Sequence, residues 1–190
     1  MQGLRIIMLG KLRSGKTTVG KLICETLKEV KDISLQSRPL AKPIYEEAQD
    51  FYARHGLTWR KNRRLLEGIG EALNDDYPGG DKIIELYAKD FNVNENIYVE
   101  DCRRLTQARF FADLNLQAEN AGISSRSIFI RVTATDAVRK ARCKPGEWAE
   151  GHVTDVELDN WPADIEIENN GDDLVELKQK IRRFVESIKV

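Results

Sequence analysis

The sequence contains few cysteines, and their arrangement argues against two common classes of small protein. Its 190 residues include three cysteines, an odd number, and no two of them are spaced as in C-x-x-C. This argues against a disulfide framework and against a cysteine-rich zinc site. It predicts that the protein is located in a reducing cytoplasm. The three residues are Cys24, Cys102 and Cys143.

Long hydrophobic runs and an excess of one charge are also missing. No apolar run approaches the roughly 20 residues that span a bilayer, and residues 1–9 lack the pattern of an export signal. Thirty Lys and Arg balance 31 Asp and Glu, which argues against a protein built mainly to coat nucleic acid. With 41% hydrophobic and 32% charged residues, the chain can bury the core of one domain.

Strand-like and helix-like patterns alternate along the chain. Residues 4–9 are almost continuously apolar, which is typical of a strand buried on both faces. Residues 19–30 carry apolar side chains every three or four positions, as on one face of a helix, and residues 174–188 do the same. We therefore expect an α/β fold in which a parallel central sheet carries helices on both faces.

Shorter patterns predict the remaining elements. Ile33 and Leu35 alternate with polar neighbours and suggest a short second strand. Apolar runs predict strands over residues 97–99 and 128–132 and around Ile165 and Ile167. The predicted helices cover residues 44–54, 57–75, 105–121 and 135–142, with a further helix that begins near residue 83.

Residues 10–17 carry the pattern G-x-x-x-x-G-K-[ST] between the first strand and the first helix. The glycines let the loop curl so that its N–H groups point at phosphate oxygens, and the helix adds the positive end of its dipole. Lys16 can reach the β- and γ-phosphates, and the Thr17 hydroxyl can coordinate Mg²⁺. We predict a nucleoside triphosphate site that is formed by Gly10, Lys11, Arg13, Ser14, Gly15, Lys16, Thr17 and Thr18.

Such a phosphate-binding loop (P-loop) does not define the reaction. A GTPase needs a guanine-reading N/T-K-x-D sequence, which is absent, and residues 76–79 match D-x-x-G in a polar break that we interpret as a turn. An ATP-driven motor or switch usually needs a larger chain, so a small kinase fits the length best. A non-catalytic nucleotide-dependent switch stays open as an alternative.

Charged residues at other predicted strand ends are candidates for the chemistry. Asp101 follows the strand at 97–99, at the edge of the sheet where ligands bind, and it could hold Mg²⁺ or orient an acceptor phosphate. Arg139 and Arg142 share one face of a short helix, where they could stabilise a transferring phosphoryl group. The loop after them, which contains Trp148, is a candidate lid.

The sequence resembles the deoxynucleoside monophosphate kinases of bacteriophages, within the nucleoside monophosphate kinase-like P-loop group. The likeness spans most of the chain. It departs from the family in having threonines directly after the P-loop lysine, where the family often has Asp, and in lacking a Phe-Pro-Asn-Glu run after Arg103. The stretches that carry it are residues 10–17, 39–42, 63–70, 99–103, 152–155 and 167–171.

The resemblance implies Mg²⁺-dependent transfer of a phosphoryl group from ATP to a (deoxy)nucleoside monophosphate. By position, Lys16 and Thr17 serve the donor phosphates and the metal. Asp101 faces the acceptor and the metal, and Arg139 and Arg142 close on the transferring group. The residues that would bind the acceptor are Arg38, Lys42, Arg63 and Arg103. Trp148 is a further candidate because it lies in the candidate lid.

The resemblance also implies a domain organisation and a set of partners. We expect one kinase domain over residues 1–190, with an acceptor-binding helical insertion at about 36–95 and a lid at about 136–152. The expected partners are small nucleotides, and neither nucleic acid nor a membrane is expected as a partner. The expected location is the cytoplasm, which would be the host's cytoplasm if the chain is encoded by a phage. The sequence leaves open the base, the sugar, the oligomeric state (a homodimer included) and kinases of other small metabolites, such as dephospho-coenzyme A or phosphomevalonate.

Overall fold

The computed structural model describes residues 3–75, 81–144, 157–171 and 173–189. The chain forms two compact units. The first, the sheet unit, comprises Met1–Ser37 and Val93–Val190, and the second, the helical unit, comprises Arg38–Asn92. None of the helices in the described ranges is long and apolar enough to cross a membrane.

The sheet unit is built on five parallel strands in the order β2-β3-β1-β4-β5. The central strand β1 is buried along its whole length between β3 and β4, and its Ile6 is level with Tyr98 on one side and Ile128 on the other. The strands are Leu4–Leu9 (β1), Gln36–Ser37 (β2), Ile97–Val99 (β3), Arg126–Thr133 (β4) and Ile165–Glu168 (β5).

Seven helices lie in the described part of the chain. Four belong to the sheet unit, namely α1 (Lys16–Lys31), α5 (Leu105–Asn120), α6 (Asp136–Ala141) and α7 (Leu174–Ser187). Three form the helical unit, namely α2 (Lys42–Arg54), α3 (Arg63–Asp75) and α4 (Lys82–Lys89).

Successive residues of β1 face opposite sides of the sheet, and each side carries helices. Ile6 lies in a hydrophobic core with Ile23 of α1 and Ile181 of α7. On the other side, the Ser127 hydroxyl of β4 donates a hydrogen bond to the main-chain oxygen of Phe111 in α5. The expected parallel sheet with helices on both faces is confirmed. Because α1 follows β1 and α5 follows the neighbouring strand β3 on the opposite face, the carboxyl ends of these strands are the place where open α/β sheets have their ligand-binding crevice.

A fully buried arginine joins the amino ends of the strands, at the edge opposite that crevice. Arg5 donates from Nε to the Ser127 hydroxyl (2.7 Å) and from Nη1 to the Ser125 hydroxyl (2.6 Å) and the carbonyl of Val93 (3.0 Å). Burial lowers the pKa of Arg5 to about 10, because its partners are neutral oxygens that compensate only part of the lost hydration. These bonds connect β1 to β4 and to the segment before β3.

The helical unit is held together by aromatic side chains. The ring of Trp59 packs edge-on against Tyr52, with 5.4 Å between ring centroids, and against Tyr45 at 6.4 Å. The guanidinium of Arg38 lies 5.0 Å from the centroid of the Tyr87 ring, a cation–π contact. Tyr52 and Tyr87 are buried in the helical unit, whereas Trp59 is exposed and packs on Tyr52 from the surface.

Two local predictions were wrong. The second strand is not at Ile33 and Leu35 but at Gln36–Ser37, where Gln36 donates its N–H to the carbonyl of Asn96. A strand of two exposed residues is too short to produce an alternating pattern. The helix expected from residue 57 begins only at Arg63. Gly56, with a φ of 64°, and the bond from the Leu57 N–H to the carbonyl of Tyr52 end α2, and residues 57–62 form an irregular connection.

Candidate active site

The P-loop forms the connection between β1 and α1, as its motif predicts. Gly10 and Gly15 have φ angles of 132° and 98°, which side-chain-bearing residues rarely adopt. A Cβ added to Gly10 would lie 2.3 Å from the main-chain oxygen of Val132 in β4. Glycine is therefore required where the loop leaves the sheet, both for its φ angle and for this close approach.

The lysine of the motif is bonded to the loop itself. Lys16 donates from Nζ to the main-chain oxygens of Gly10 (2.6 Å) and Lys11 (2.9 Å). These carbonyls belong to the first two residues of the loop, so the Lys16 ammonium group at its far end folds back onto the beginning of the loop. A positive charge is thereby placed at the end of β1.

The beginning of α1 is suited to an anion. Gly15 provides no side-chain cap, and the first turn contains no acidic residue. The N–H groups of a first helical turn have no partners within the helix, and the dipole makes that end positive. The Ser14 hydroxyl next to this turn is buried and has no hydrogen-bond partner among the residues that the structure describes. A phosphate oxygen could accept from this hydroxyl.

Two side chains from later parts of the chain contact the P-loop. Asn169, directly after β5, donates from Nδ2 to the main-chain oxygen of Ser14 at 2.9 Å. Arg142, at the end of α6, donates from Nη1 to the same oxygen at 3.4 Å and to the main-chain oxygen of Arg13 at 3.5 Å. The loop is thus bordered by an amide and a guanidinium group.

Lysine and arginine side chains predominate around the loop. Lys11 forms an ion pair with Asp159, with 3.1 Å between Nζ and Oδ2. Arg139 is almost completely buried on α6, with its Nε 3.8 Å from Oδ1 of Asp136. Three of the predicted cations, Lys11, Arg13 and Lys16, belong to the loop itself, and Arg142 contacts it. Arg139 lies on α6, one turn before Arg142.

The other predicted residues of the sheet unit lie at the same edge or near it. Thr17 and Thr18 are exposed in the first turn of α1, and Asp101 follows β3 and is half-buried. Because β3 is parallel to β1 and adjacent to it, Asp101 and the P-loop share the carboxyl edge of the sheet. Arg103 is exposed, and its main-chain N–H is bonded to the side chain of Gln107 at the start of α5.

Three predicted acceptor-binding residues belong to the helical unit. Besides its contact with Tyr87, Arg38 lies 5.5 Å from the centroid of the Phe91 ring. Lys42 pairs with Glu46 at 3.4 Å and Arg63 with Glu67 at 2.7 Å, each across one turn of its own helix. Their role in binding an acceptor stays a prediction.

Several predicted features lie outside the described residues. They include residues 145–152 of the candidate lid, with Trp148 among them, the D-x-x-G segment at 76–79 and residues 152–155. Within the described ranges, no group of three or more His, Cys, Asp and Glu side chains could form a metal site.

No role was predicted for Asn169, although its amide donates to the P-loop at 2.9 Å. The sequence does contain an indication of a site here, because the Asn169-Asn170 pair follows a predicted strand just as Asp101 does. Polar side chains at the carboxyl end of a parallel strand are positioned to form a site.

No protein-family model matches the sequence, and no curated protein matches it significantly. Solved structures do match. One is the APS kinase CysC of Mycobacterium tuberculosis in complex with AMPPNP and APS, with a TM-score of 0.53 and 13% identity over 97% of this chain and 96% of that chain.

Two further structures match over a similar length. They are a cysteine-to-alanine mutant of the same kinase (TM-score 0.44, 13% identity, 98% of this chain and 99% of that chain) and the crystal structure of APE1195 (0.48, 13%, 100% and 98%). These two scores are too low to carry an argument. The first match and the observed sheet together show that this chain has the fold of the P-loop kinases.

Proposed function

We propose that the protein transfers a phosphoryl group from ATP to a small phosphorylated acceptor, and that the acceptor is a (deoxy)nucleoside monophosphate. The observation that carries the proposal is the P-loop with its surroundings. Glycine-dependent curvature, an uncapped helix start, the Lys16 ammonium and the buried Ser14 hydroxyl are together at the end of the central strand. This combination supplies N–H donors and positive charge to a polyphosphate.

ATP is proposed as the donor because the loop matches the needs of a triphosphate and the sequence lacks the guanine-reading motif. Lys16 would exchange its two carbonyl partners for the β- and γ-phosphates. The APS kinase that shares the fold was solved with AMPPNP, which is in keeping with this choice.

The donor set at the carboxyl edge fits Mg²⁺. Thr17 offers a hydroxyl and Asp101 a carboxylate, and both are hard oxygen ligands. Mg²⁺ is usually held by one or two protein groups together with phosphate oxygens and water. Bound Mg²⁺ would neutralise charge on the phosphates, while the chain's own residues orient them.

Arg139 and Arg142 are proposed to stabilise the transferring group. Phosphoryl transfer depends mainly on positioning and on neutralising charge, and a well-placed arginine contributes about 10³–10⁵ in rate. The contacts of Arg142 with the loop carbonyls are long for a charged donor, so a phosphate oxygen would be a better partner for this guanidinium.

The identity of the acceptor is the most specific part of the proposal. It rests on the resemblance to nucleoside monophosphate kinases and on Arg38, Lys42 and Arg63 in the helical unit, with Arg103 and Trp148 as further candidates. The structural match to an APS kinase favours one specific alternative, in which APS is the acceptor. Both alternatives keep ATP as the donor.

A screen of acceptors tests the proposal. The protein is incubated with ATP and Mg²⁺ together with each nucleoside or deoxynucleoside monophosphate, APS, dephospho-coenzyme A or phosphomevalonate, and ADP is measured by chromatography. We expect acceptor-dependent ADP and a matching nucleoside diphosphate with at least one monophosphate. ADP formation only with APS or another metabolite would mean that this compound, and not a nucleoside monophosphate, is the acceptor. Nucleotide binding without turnover on any acceptor would favour the non-catalytic nucleotide-dependent switch.

A further inference from the structure

The contact between Asn169 and Ser14 fixes one peptide unit of the P-loop. The Asn169 amide donates to the main-chain oxygen of Ser14 at 2.9 Å, across 155 residues of sequence. In a trans peptide unit the carbonyl and the N–H that follows it point in opposite directions. A bond that holds the Ser14 carbonyl therefore also sets the direction of the Gly15 N–H, one of the groups through which a P-loop binds phosphate.

The donating amide is itself held in place. The main-chain N–H of Asn169 donates to the carbonyl of Thr133 at the end of β4 (2.8 Å). The next residue, Asn170, accepts from the main-chain N–H of Thr135 at 2.6 Å. These bonds extend the pairing of β5 with β4 and carry the Asn169 side chain to the loop.

The same amide explains part of the requirement for glycine at position 15. A Cβ on Gly15 would lie 2.0 Å from Nδ2 of Asn169 and 3.8 Å from Nη1 of Arg142. The Asn169 amide thus lies directly over the peptide unit that it bonds, in space that any side chain at position 15 would need.

The two donors to the Ser14 carbonyl differ in quality. The Asn169 bond has a normal length, whereas the Arg142 contacts of 3.4 and 3.5 Å are well beyond the 2.7–2.9 Å typical of charged donors. Arg142 also has a long side chain that can turn to another partner. Asn169 is consequently suited to hold the loop throughout a reaction, and Arg142 to leave it.

We propose that Asn169 is a positioning residue that holds the Ser14 carbonyl so that the Gly15 N–H faces the phosphates of the donor nucleotide. This inference rests on the proposed function. It assigns Asn169 a role in the affinity for the donor without a contact to the reacting atoms.

Binding of AMPPNP tests the inference, measured by titration calorimetry on the full chain with Mg²⁺. The variants are Asn169→Ala, which removes the donor, and Asn169→Asp, which keeps its shape. Asn120→Ala is the control, since this exposed residue ends α5. We expect about tenfold weaker binding for Asn169→Ala, the effect of one lost hydrogen bond, and weaker binding still for Asn169→Asp, whose carboxylate cannot donate. The control should match the wild type.

Kinetic and spectroscopic readouts separate positioning from a purely structural role. With ATP varied, we expect KM for ATP to rise in both Asn169 variants while kcat and KM for the acceptor change less than about threefold. In ¹⁵N spectra, AMPPNP should shift the Gly15 amide resonance of the wild type more than that of Asn169→Asp.

The possible failures can be told apart. Wild-type protein that does not bind AMPPNP would contradict the proposed function itself. Wild-type affinity in folded Asn169→Ala or Asn169→Asp, with an unchanged Gly15 shift, would overturn the role of Asn169 while leaving the proposed function intact. If Asn169→Ala does not fold, the isosteric Asn169→Asp variant decides.

Discussion

The ring of Tyr98 lies against Gly20 so closely that no side chain fits at position 20. A Cβ there would be 2.0 Å from the Tyr98 hydroxyl oxygen and 2.4 Å from Cζ. Gly20 is one turn beyond Lys16 in α1, and Tyr98 precedes Glu100 and Asp101 by two and three residues. The contact therefore sets how closely the P-loop helix approaches β3, the strand that Asp101 follows.

We predict that Gly20→Ala destabilises the protein, although alanine is the better helix former. The added methyl overpacks a buried contact, which typically costs about 1–3 kcal/mol. Urea unfolding followed by circular dichroism measures the change. Gly68→Ala in α3 is the control, because a Cβ there meets nothing within 4 Å, and this variant should gain up to about 1 kcal/mol.

A second substitution checks the cause of that loss. If the ring of Tyr98 is responsible, Gly20→Ala combined with Tyr98→Leu should be more stable than the sum of the two single changes predicts. Additive losses would mean that the Tyr98 ring does not exclude a side chain at position 20.

The role of the P-loop lysine is tested by Lys16→Met. We expect acceptor-dependent ADP formation to fall at least about 10³-fold, because the variant loses the charge that the β- and γ-phosphates require. The circular dichroism spectrum should not change. Lys21→Met, an exposed position on the same helix, should keep wild-type activity, and near-normal turnover by Lys16→Met would refute the assignment.

Arg142 should be required for the rate more than for the fold. We expect Arg142→Ala to lower kcat by about 10³-fold, and Arg142→Lys to recover only part of it, because an ammonium lacks the planar fork of a guanidinium. Lys140→Ala provides the control at an exposed position of the same helix. A kcat within threefold of wild type for Arg142→Ala would exclude Arg142 from the chemical step.

Cys24 should make the stability fall at alkaline pH. Burial first, and then the charge of Glu25, raise the pKa of the Cys24 thiol from 9.0 to about 11. Between these values the folded chain keeps a proton that the unfolded chain releases, so a rise in pH favours unfolding. The contribution of the protonated Cys24 thiol to the free energy of unfolding is fully present below pH 9 and is lost as the pH rises to about 11.

Urea unfolding in reducing buffer at pH 8 and pH 10 measures this effect. We expect the wild type to lose about 1 kcal/mol more than Cys24→Ala between these pH values, since one pKa unit corresponds to about 1.4 kcal/mol and the thiol is only half-buried. Equal losses in both proteins would show that the thiol titrates as it does in the unfolded chain.

Much of the fold follows from local patterns in the sequence. The apolar run at 4–9, interrupted only by Arg5, is typical of a strand buried on both faces, and it became the central strand β1. The P-loop was predictable because its fixed residues are contiguous. β2 was misplaced because its two residues are identified by pairing with β3 and not by their own side chains.

Contacts across long sequence distances account for what was missed at the site. Asn169 meets Ser14 only because β4 lies between β1 and β5, an order that no local pattern contains. The helical spacing of Arg139 and Arg142 predicted a shared face but could not reveal that Arg142 reaches the carbonyls of Arg13 and Ser14. The packing of Gly20 on Tyr98 is likewise invisible before strand β3 is placed.

The most direct test of the account is a crystal structure with AMPPNP and Mg²⁺. We predict that the β- and γ-phosphates lie in the curl of residues 10–15 and accept from its N–H groups, and that Lys16 moves from the carbonyls of Gly10 and Lys11 to the phosphates. Nucleotide bound elsewhere, with Lys16 still bonded to those two carbonyls at a saturating nucleotide concentration, would contradict the central claim.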